Sequence, residues 1–221
     1  MPLNFPGVIP PSRERVISSI DFIDVAKEKA LVIFYGLNTN TAGTLEYSLT
    51  NSQVQSDRVS TRATVVTNGA PSGKELDLDF DQTVLVPFTI GGTGSIHVPL
   101  VAQNSVNNVD EAYVSASLLL VRNGVETQLD GARAESIDGT NEGEIMSVID
   151  LNLPTTKVKK NDILRLNVQV WAYKDGAGNA FVHIGHDPAG RSTTNYTDAF
   201  SFTTAKVPTS LKVLIPIKIP S

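Results

Sequence analysis

The sequence predicts an all-β protein: an antiparallel two-sheet β-sandwich, jelly-roll-like, with an extended Pro-rich N-terminal arm. Three observations carry that prediction. Between Ile163 and Ala172, Leu164, Leu166, Val168, Val170 and Ala172 alternate with Arg165, Asn167 and Gln169, a period of two that marks a half-buried strand. Similar runs recur along the whole chain, separated by Gly, Asn, Asp and Pro clusters, at the short spacing of sandwiches. No long run has the period of a helix, and no internal repeat of fixed length points to a propeller or solenoid.

Met1–Arg15 holds Pro2, Pro6, Pro10 and Pro11, which fix φ and remove backbone donors, so this stretch is expected to be an extended arm outside any sheet interior. Residues 16–221 are expected to form one sandwich domain. A chain end is often loose, but Leu3, Phe5, Val8 and Ile9 are apolar for a solvated tail. They are the candidate partner-binding residues.

Ile17–Val25 leads into Lys29–Leu37, a β-branched and aromatic run apolar on both faces and therefore expected at the centre of a sheet. Asn38–Gly43 turns the chain into Thr44–Thr50, and Arg58–Val66 alternates as a further strand. Leu76, Leu78 and Phe80 alternate with Asp77, Asp79 and Asp81, giving one core face and one row of carboxylates. Val84–Ile90 and Ser95–Ala102 flank Gly91-Gly92-Thr93-Gly94, read as a turn joining two paired strands. Tyr113–Val121 and Val125–Leu129 flank Asn123-Gly124, the dipeptide suited to a type I′ hairpin turn. Asp130–Glu142 reads as loop, and Met146–Leu153 as a strand closed by Pro154. The 163–172 strand is expected to form a hairpin with Ala180–Gly185 through Lys174–Asn179. Ala199–Thr204 and Leu211–Ile219 complete about eleven strands, the last placed at an edge because of Pro216.

Composition narrows the chemistry. The chain of 221 residues has no cysteine, which excludes disulfides, thiolate metal sites and cysteine nucleophiles. A net charge of -5 with scattered Lys and Arg argues against a nucleic-acid partner. No apolar run is long enough for a signal peptide or a membrane span, so a soluble protein made in a cytoplasm, with no membrane partner, is expected. Aromatics are 6% of residues, few for a carbohydrate-binding groove. The single Trp171 reads as a packing residue.

His183, His186 and Asp187 are of metal-ligating types, but positions three apart on a strand face opposite sides, and the alternative is a surface loop with an Asp-Pro turn. The Asp77, Asp79, Asp81 row could offer oxygens to calcium, or be a solvated face balanced by cross-strand Arg or Lys. No serine lies in a G-x-S-x-G setting, and Gly91–Gly94 opens no helix and so is no phosphate loop. No enzyme activity, no cofactor and no metal are expected.

Five stretches together resemble a group of tailed-bacteriophage virion proteins. They are Ser19–Ala26 (SIDFIDVA), Val32–Gly36 (VIFYG), Asp77–Phe80 (DLDF), Val158–Leu166 (VKKNDILRL), and Gly185-His186-Asp187-Pro188 with Arg191. The family they resemble is that of jelly-roll capsid-decoration and other minor virion proteins. The resemblance implies a virion structural protein, assembled in the host cytoplasm, that binds the major capsid protein or other virion proteins and gathers as a homo-oligomer, with a trimer favoured. Head decoration (a cement protein), a tail, baseplate or head-fibre part, and a carbohydrate-binding β-sandwich module remain the open alternatives.

Overall fold

A computed structural model describes residues 29–41, 43–104, 109–134, 136–138, 143–176, 178–191 and 209–218. The proposed arm with its boundary at Arg15, the Ile17–Val25 stretch and the Ala199–Thr204 strand lie outside these residues.

The described residues form strands and turns and contain no helix, so the all-β expectation is met. In chain order the strands are β1 (Lys29–Thr41), β2 (Thr44–Thr50), β3 (Ser60–Thr64), β4 (Gly73–Thr83), β5 (Phe88–Asn104), β6 (Val109–Arg122), β7 (Val125–Arg133), β8 (Ile137–Asp138), β9 (Gly143–Val158), β10 (Ile163–Lys174), β11 (Ala180–Gly185) and β12 (Lys212–Lys218). All twelve are linked by hydrogen bonds into one sheet, ordered β3-β11-β5-β12-β1-β2-β4-β10-β6-β7, with β9 on β5 and β8 on β6. The pairing runs as one continuous path and does not by itself set two sheets apart. Its weakest link is β2 to β4, a parallel contact at the single pair Ser48↔Asp81. Elsewhere the named strands pair antiparallel over several residues.

The sheet folds back on itself. β5 touches β6, β7 touches β9, and β10 touches β11, although each pair is separated in the sheet order. One core results, in which Ile96, Leu100, Ile184 and Ile215 from one half meet Phe80, Leu118, Leu166 and Val168 from the other, all fully buried. The alternation that marked β10 explains its place: even-numbered Leu164 to Ala172 are buried, odd-numbered Arg165 to Tyr173 face outward. With β4 on one side and β6 on the other, it is the centre of its half.

Several expectations are corrected. β10 and β11 are not a hairpin: β11 pairs with β3 and β5, so the Lys174–Asn179 connection carries the chain from one half of the sheet to the other. The four residues Gly91–Gly94 are not a turn but the middle of the 17-residue β5. The residues before it, Val84–Pro87, are the bend. The glycines serve a bulge between Ile90 and Gly92 against β9 and a close passage of β12, because a Cβ on Gly94 would collide with the carbonyl oxygen of Leu214. The same bulge accommodates Pro154, so β9 continues to Val158 instead of ending there. Pro216 does not place β12 at an edge. β12 lies between β1 and β5, and its register on β5 shifts between Leu214 and Ile217, which is where a residue lacking an N–H is tolerated. Asp130–Glu142 is not all loop, since β7 runs to Arg133 and β8 pairs with β6. The hairpin at Asn123-Gly124 forms as expected, with φ of 52° and 78°.

Candidate functional site

The crease beside the weak β2–β4 link opens into a pocket of about 280 Å³. Thr50, Asn51 and Ser52 at the end of β2 line one side, and Gln82, Thr83 and Val84 at the end of β4 another. Buried Phe34 and Leu164 form its interior, and Phe88 lines it too. Leu85 and Val86 stand 59% and 61% exposed on its lip, an unusual outlay of branched apolar side chains in a four-residue bend. A concave site of this make-up can take an apolar side chain and offer backbone polar groups around it.

The Gly185–Arg191 stretch is not a surface loop. His186 and Asp187 have 0% exposure. Asp187 Oδ1 accepts from the Ser56 backbone N–H at 2.9 Å, and Oδ2 from the Arg191 N–H at 2.9 Å and Arg191 Nε at 2.7 Å. Arg191 also donates to the Ser56 carbonyl at 2.5 Å. The Ser56 hydroxyl donates to the His186 carbonyl at 2.8 Å and accepts from the Asn38 N–H at 3.1 Å. Thr209 closes the knot, its hydroxyl donating to the Arg191 carbonyl at 2.6 Å while its own carbonyl accepts from the Asp187 N–H at 3.0 Å. Burial works to raise the Asp187 carboxyl, but the Arg191 guanidinium and the two backbone donors hold it below the usual range. Every residue here ties one segment to another. The partners Asn38, Ser56 and Thr209 are far away in sequence and carry no local pattern that singles them out.

His186, itself buried, sits in a chain of polar and aromatic side chains. His186 Nε2 shares a hydrogen with Thr61 Oγ1 at 2.8 Å, and Thr61 with Tyr47 Oη at 2.8 Å, while Tyr47 packs edge-on against both His186 and Phe80. His186 Nδ1 has no hydrogen-bond partner among the described residues. Burial lowers both imidazoles to about 4, helped at His183 by the charge of Arg62, so both are neutral near pH 7. Among the described residues no three His, Asp or Glu side chains are grouped as metal ligands.

The carboxylate row is the outer face of β4 and meets the outer face of β10. Arg165 Nε and Nη2 reach Asp81 at 2.7 and 2.8 Å, and Nη1 reaches Asp79 at 3.2 Å and Glu126 at 2.6 Å. Asn167 donates to Asp77 and Asp79, and Lys74 pairs with Asp77 at 2.6 Å. The cross-strand balance anticipated from sequence is thus present. Farther along the same face Trp171 lies parallel to Tyr113, ring centroids 6.3 Å apart, and Arg133 covers the Tyr113 ring at 3.5 Å. Trp171 packs on this outer face, not in the core.

One pairing was not foreseen. Ser95 and His97, two apart on β5, face the same way, with Oγ to Nε2 at 2.9 Å. Burial and the Lys212 charge lower the His97 pKa, and Asp150 opposes them. The period-two spacing of Ser95 and His97 was the available signal. The candidate partner-binding residues Leu3, Phe5, Val8 and Ile9 lie outside the described residues.

No family model matches the chain, and no curated protein sequence matches it. Among solved structures, an α-amino acid ester hydrolase is similar at 10% identity and a TM-score of 0.51, over 84% of this chain and 36% of the hydrolase. A CocE/NonD family hydrolase from Staphylococcus aureus has 12% identity and a TM-score of 0.48, over 86% of this chain and 36% of that one. The infectious bursal disease virus VP2 subviral particle has 11% identity and a TM-score of 0.30, over 98% and 42%. The chain thus spans little more than a third of the two hydrolases, and the first likeness is one of fold alone.

Proposed function

We propose that the chain is a structural component of a virus particle, a capsid-decoration protein that binds the outside of a tailed-phage head as a homo-oligomer and acts without turnover or cofactor. The observation that carries this reading is the use made of the residues on which the virion-protein resemblance rests. Gly185–Arg191 is a buried knot. In Val158–Leu166, Asp162 caps a turn by accepting from the Lys159 N–H and from Arg122. In Asp77–Phe80 the carboxylates join the Arg165 network and Phe80 fills the core. All of this holds a frame rigid, which is what a passive clamp on a shell requires.

The domain is proposed to be a jelly-roll sandwich. In support, the continuous sheet has a one-pair joint at Ser48↔Asp81, and its halves share a single core. The partner proposed is the major capsid protein. The test is fractionation of purified particles into heads and tails, with mass spectrometry of this chain and its copy number relative to the shell protein. Stoichiometric recovery with heads supports the reading, recovery with tails replaces it by a tail component, and absence from particles removes it.

Two observations favour second readings. The Trp171–Tyr113 pair, with Gln169 and Asn167 beside it on the outer face of β10, favours a carbohydrate ligand stacked on Trp171, which a glycan array would reveal. The Ser95–His97 contact suits acyl transfer. Measurable hydrolysis of an activated ester, abolished by Ser95→Ala, would establish an enzyme.

A further inference from the structure

We infer that the pocket between β2 and β4 receives the N-terminal segment Met1–Pro10 of a neighbouring copy, joining copies arm to pocket. The inference deepens the homo-oligomer half of the proposed function and does not depend on the virion half.

The receptor side is built for an extended chain. β2 and β4 pair only at Ser48↔Asp81, and past that point their ends form walls of one pocket. A strand laid in the crease would find pairing groups along a wall. It would find apolar surface on Phe88 inside, over the buried Phe34 and Leu164, and on Leu85 and Val86 at the lip. Those two lip residues are among the most exposed large apolar side chains of the described chain.

The ligand side is in the sequence MPLNFPGVIP. In an extended strand a residue's parity sets both its side-chain face and the edge to which its N–H and C=O point. Pro2, Pro6 and Pro10 are all even, so the missing donors fall on one edge, and Leu3, Phe5, Gly7 and Ile9 keep an intact pairing edge on the other. The same odd residues place Leu, Phe and Ile side chains on one face. A segment with one competent edge and one apolar face can add to a sheet once and cannot propagate.

Connection and length permit a neighbour as donor, and the molar mass separates that from an arm folded onto its own pocket. Lys29, where the described chain begins, pairs with Lys218, which pairs with Thr89 beside pocket residue Phe88. Lys29 is thus two strand spacings, about 10 Å, from the rim. The 15 residues of Met1–Arg15 can span up to about 50 Å, more than the roughly 45 Å width of a domain this size. Far fewer would suffice to fold back.

The test uses the full chain and three variants: deletion of Met1–Pro11, Phe5→Asp in the arm, and Leu85→Asp with Val86→Asp on the exposed lip. Molar mass is measured by light scattering, with circular dichroism confirming the fold. The full chain is expected as an oligomer and each variant as a monomer. Phe5→Asp carries the argument should the deletion fail to fold. Mixing Phe5→Asp with the lip variant should restore a 1:1 pair and nothing larger, since that mixture has one intact pocket and one intact arm. A synthetic MPLNFPGVIPP peptide should bind the Phe5→Asp protein at least about tenfold more tightly than the lip variant. A monomeric full chain, or an oligomer whose mass the lip substitutions leave unchanged, overturns the inference. So does a peptide that binds both proteins equally.

Discussion

Asp187 holds the guanidinium of Arg191 at 2.7 Å from a position with no solvent exposure, and the two residues are four apart on a chain with no helix there. The pair closes on itself only because Ser56, Asn38 and Thr209 satisfy the remaining polar groups. It therefore welds the ends of three segments, and its value lies in what its removal leaves behind.

Asp187→Ala removes the buried carboxylate that accepts from the Ser56 N–H, the Arg191 N–H and Arg191 Nε. The expected loss is about 3–5 kcal/mol, a fall in melting temperature of roughly 10 °C for a chain of this size. Asp187→Asn keeps the shape and part of the bonding, so its loss should be smaller. Thermal unfolding followed by circular dichroism checks both. Equal, small shifts for the two variants would mean that the knot is dispensable.

Acid should unfold the protein through its buried histidines. His183 and His186 are held neutral, with pKa lowered to about 4 from an ordinary 6.5. The unfolded chain takes up protons at a higher pH than the folded one, so the stability tied to neutral imidazole is complete above pH 6.5. It falls as pH drops from 6.5 towards 4, and below that these groups take away nothing more. Each contributes about 3 kcal/mol over the window. Asp187 and Asp162, held low by their partners, add a further loss below about pH 4. Urea unfolding at half-unit steps from pH 7.5 to 4 should show the decline. His186→Gln should flatten it, and an unchanged slope would refute the assignment.

Strands were legible in the sequence because alternation is local: Leu164 to Ala172 needs no knowledge of its neighbours to be a half-buried strand. Partners were not legible. Lys174–Asn179 has turn residues that permit a reversal, yet β10 and β11 part there because β4 and β6 already occupy both edges of β10. Burial of His186 was hidden for the same reason. The residues that make it tolerable, Thr61 at the imidazole and Ser56 at the backbone carbonyl, lie more than a hundred positions away. Asp77, Asp79 and Asp81 were read correctly because both the period and the need for cross-strand cations follow from charge on one face.

Arg165→Met should expose that charge balance. The guanidinium, its pKa raised first by Asp81, bridges three carboxylates, two on the adjacent β4 and Glu126 on β7 beyond β6. Without it Asp79, Asp81 and Glu126 repel across the face, a loss of roughly 1–2 kcal/mol at low salt. Added salt screens that repulsion, so the gap from the parent protein should narrow by 1 M NaCl. Urea midpoints at two ionic strengths measure it, and a salt-independent gap would assign the effect to lost packing by the Arg165 stem.

Gly94→Ala separates the two readings of the glycine-rich stretch. In a turn between paired strands, an added methyl group at the last glycine would meet solvent, and the substitution would be nearly neutral. In the continuous β5, Gly94 faces the β12 backbone, where its Cβ would collide with the Leu214 carbonyl oxygen and lie 3.2 Å from Pro216 Cδ. A backbone carbonyl cannot swing aside as a long side chain can, so β12 must move from β5 or the strand must twist, at about 1–3 kcal/mol. The control is Gly43→Ala in the β1–β2 turn. There the methyl group meets nothing within 4 Å, and the strain comes only from φ of 86°, about 1–2 kcal/mol. Thermal unfolding of the two variants, with amide exchange on β12, reads out the difference. Faster exchange at Val213 to Ile217 in Gly94→Ala alone is the expected result. A Gly94→Ala protein that melts with the parent and protects β12 equally would restore the turn.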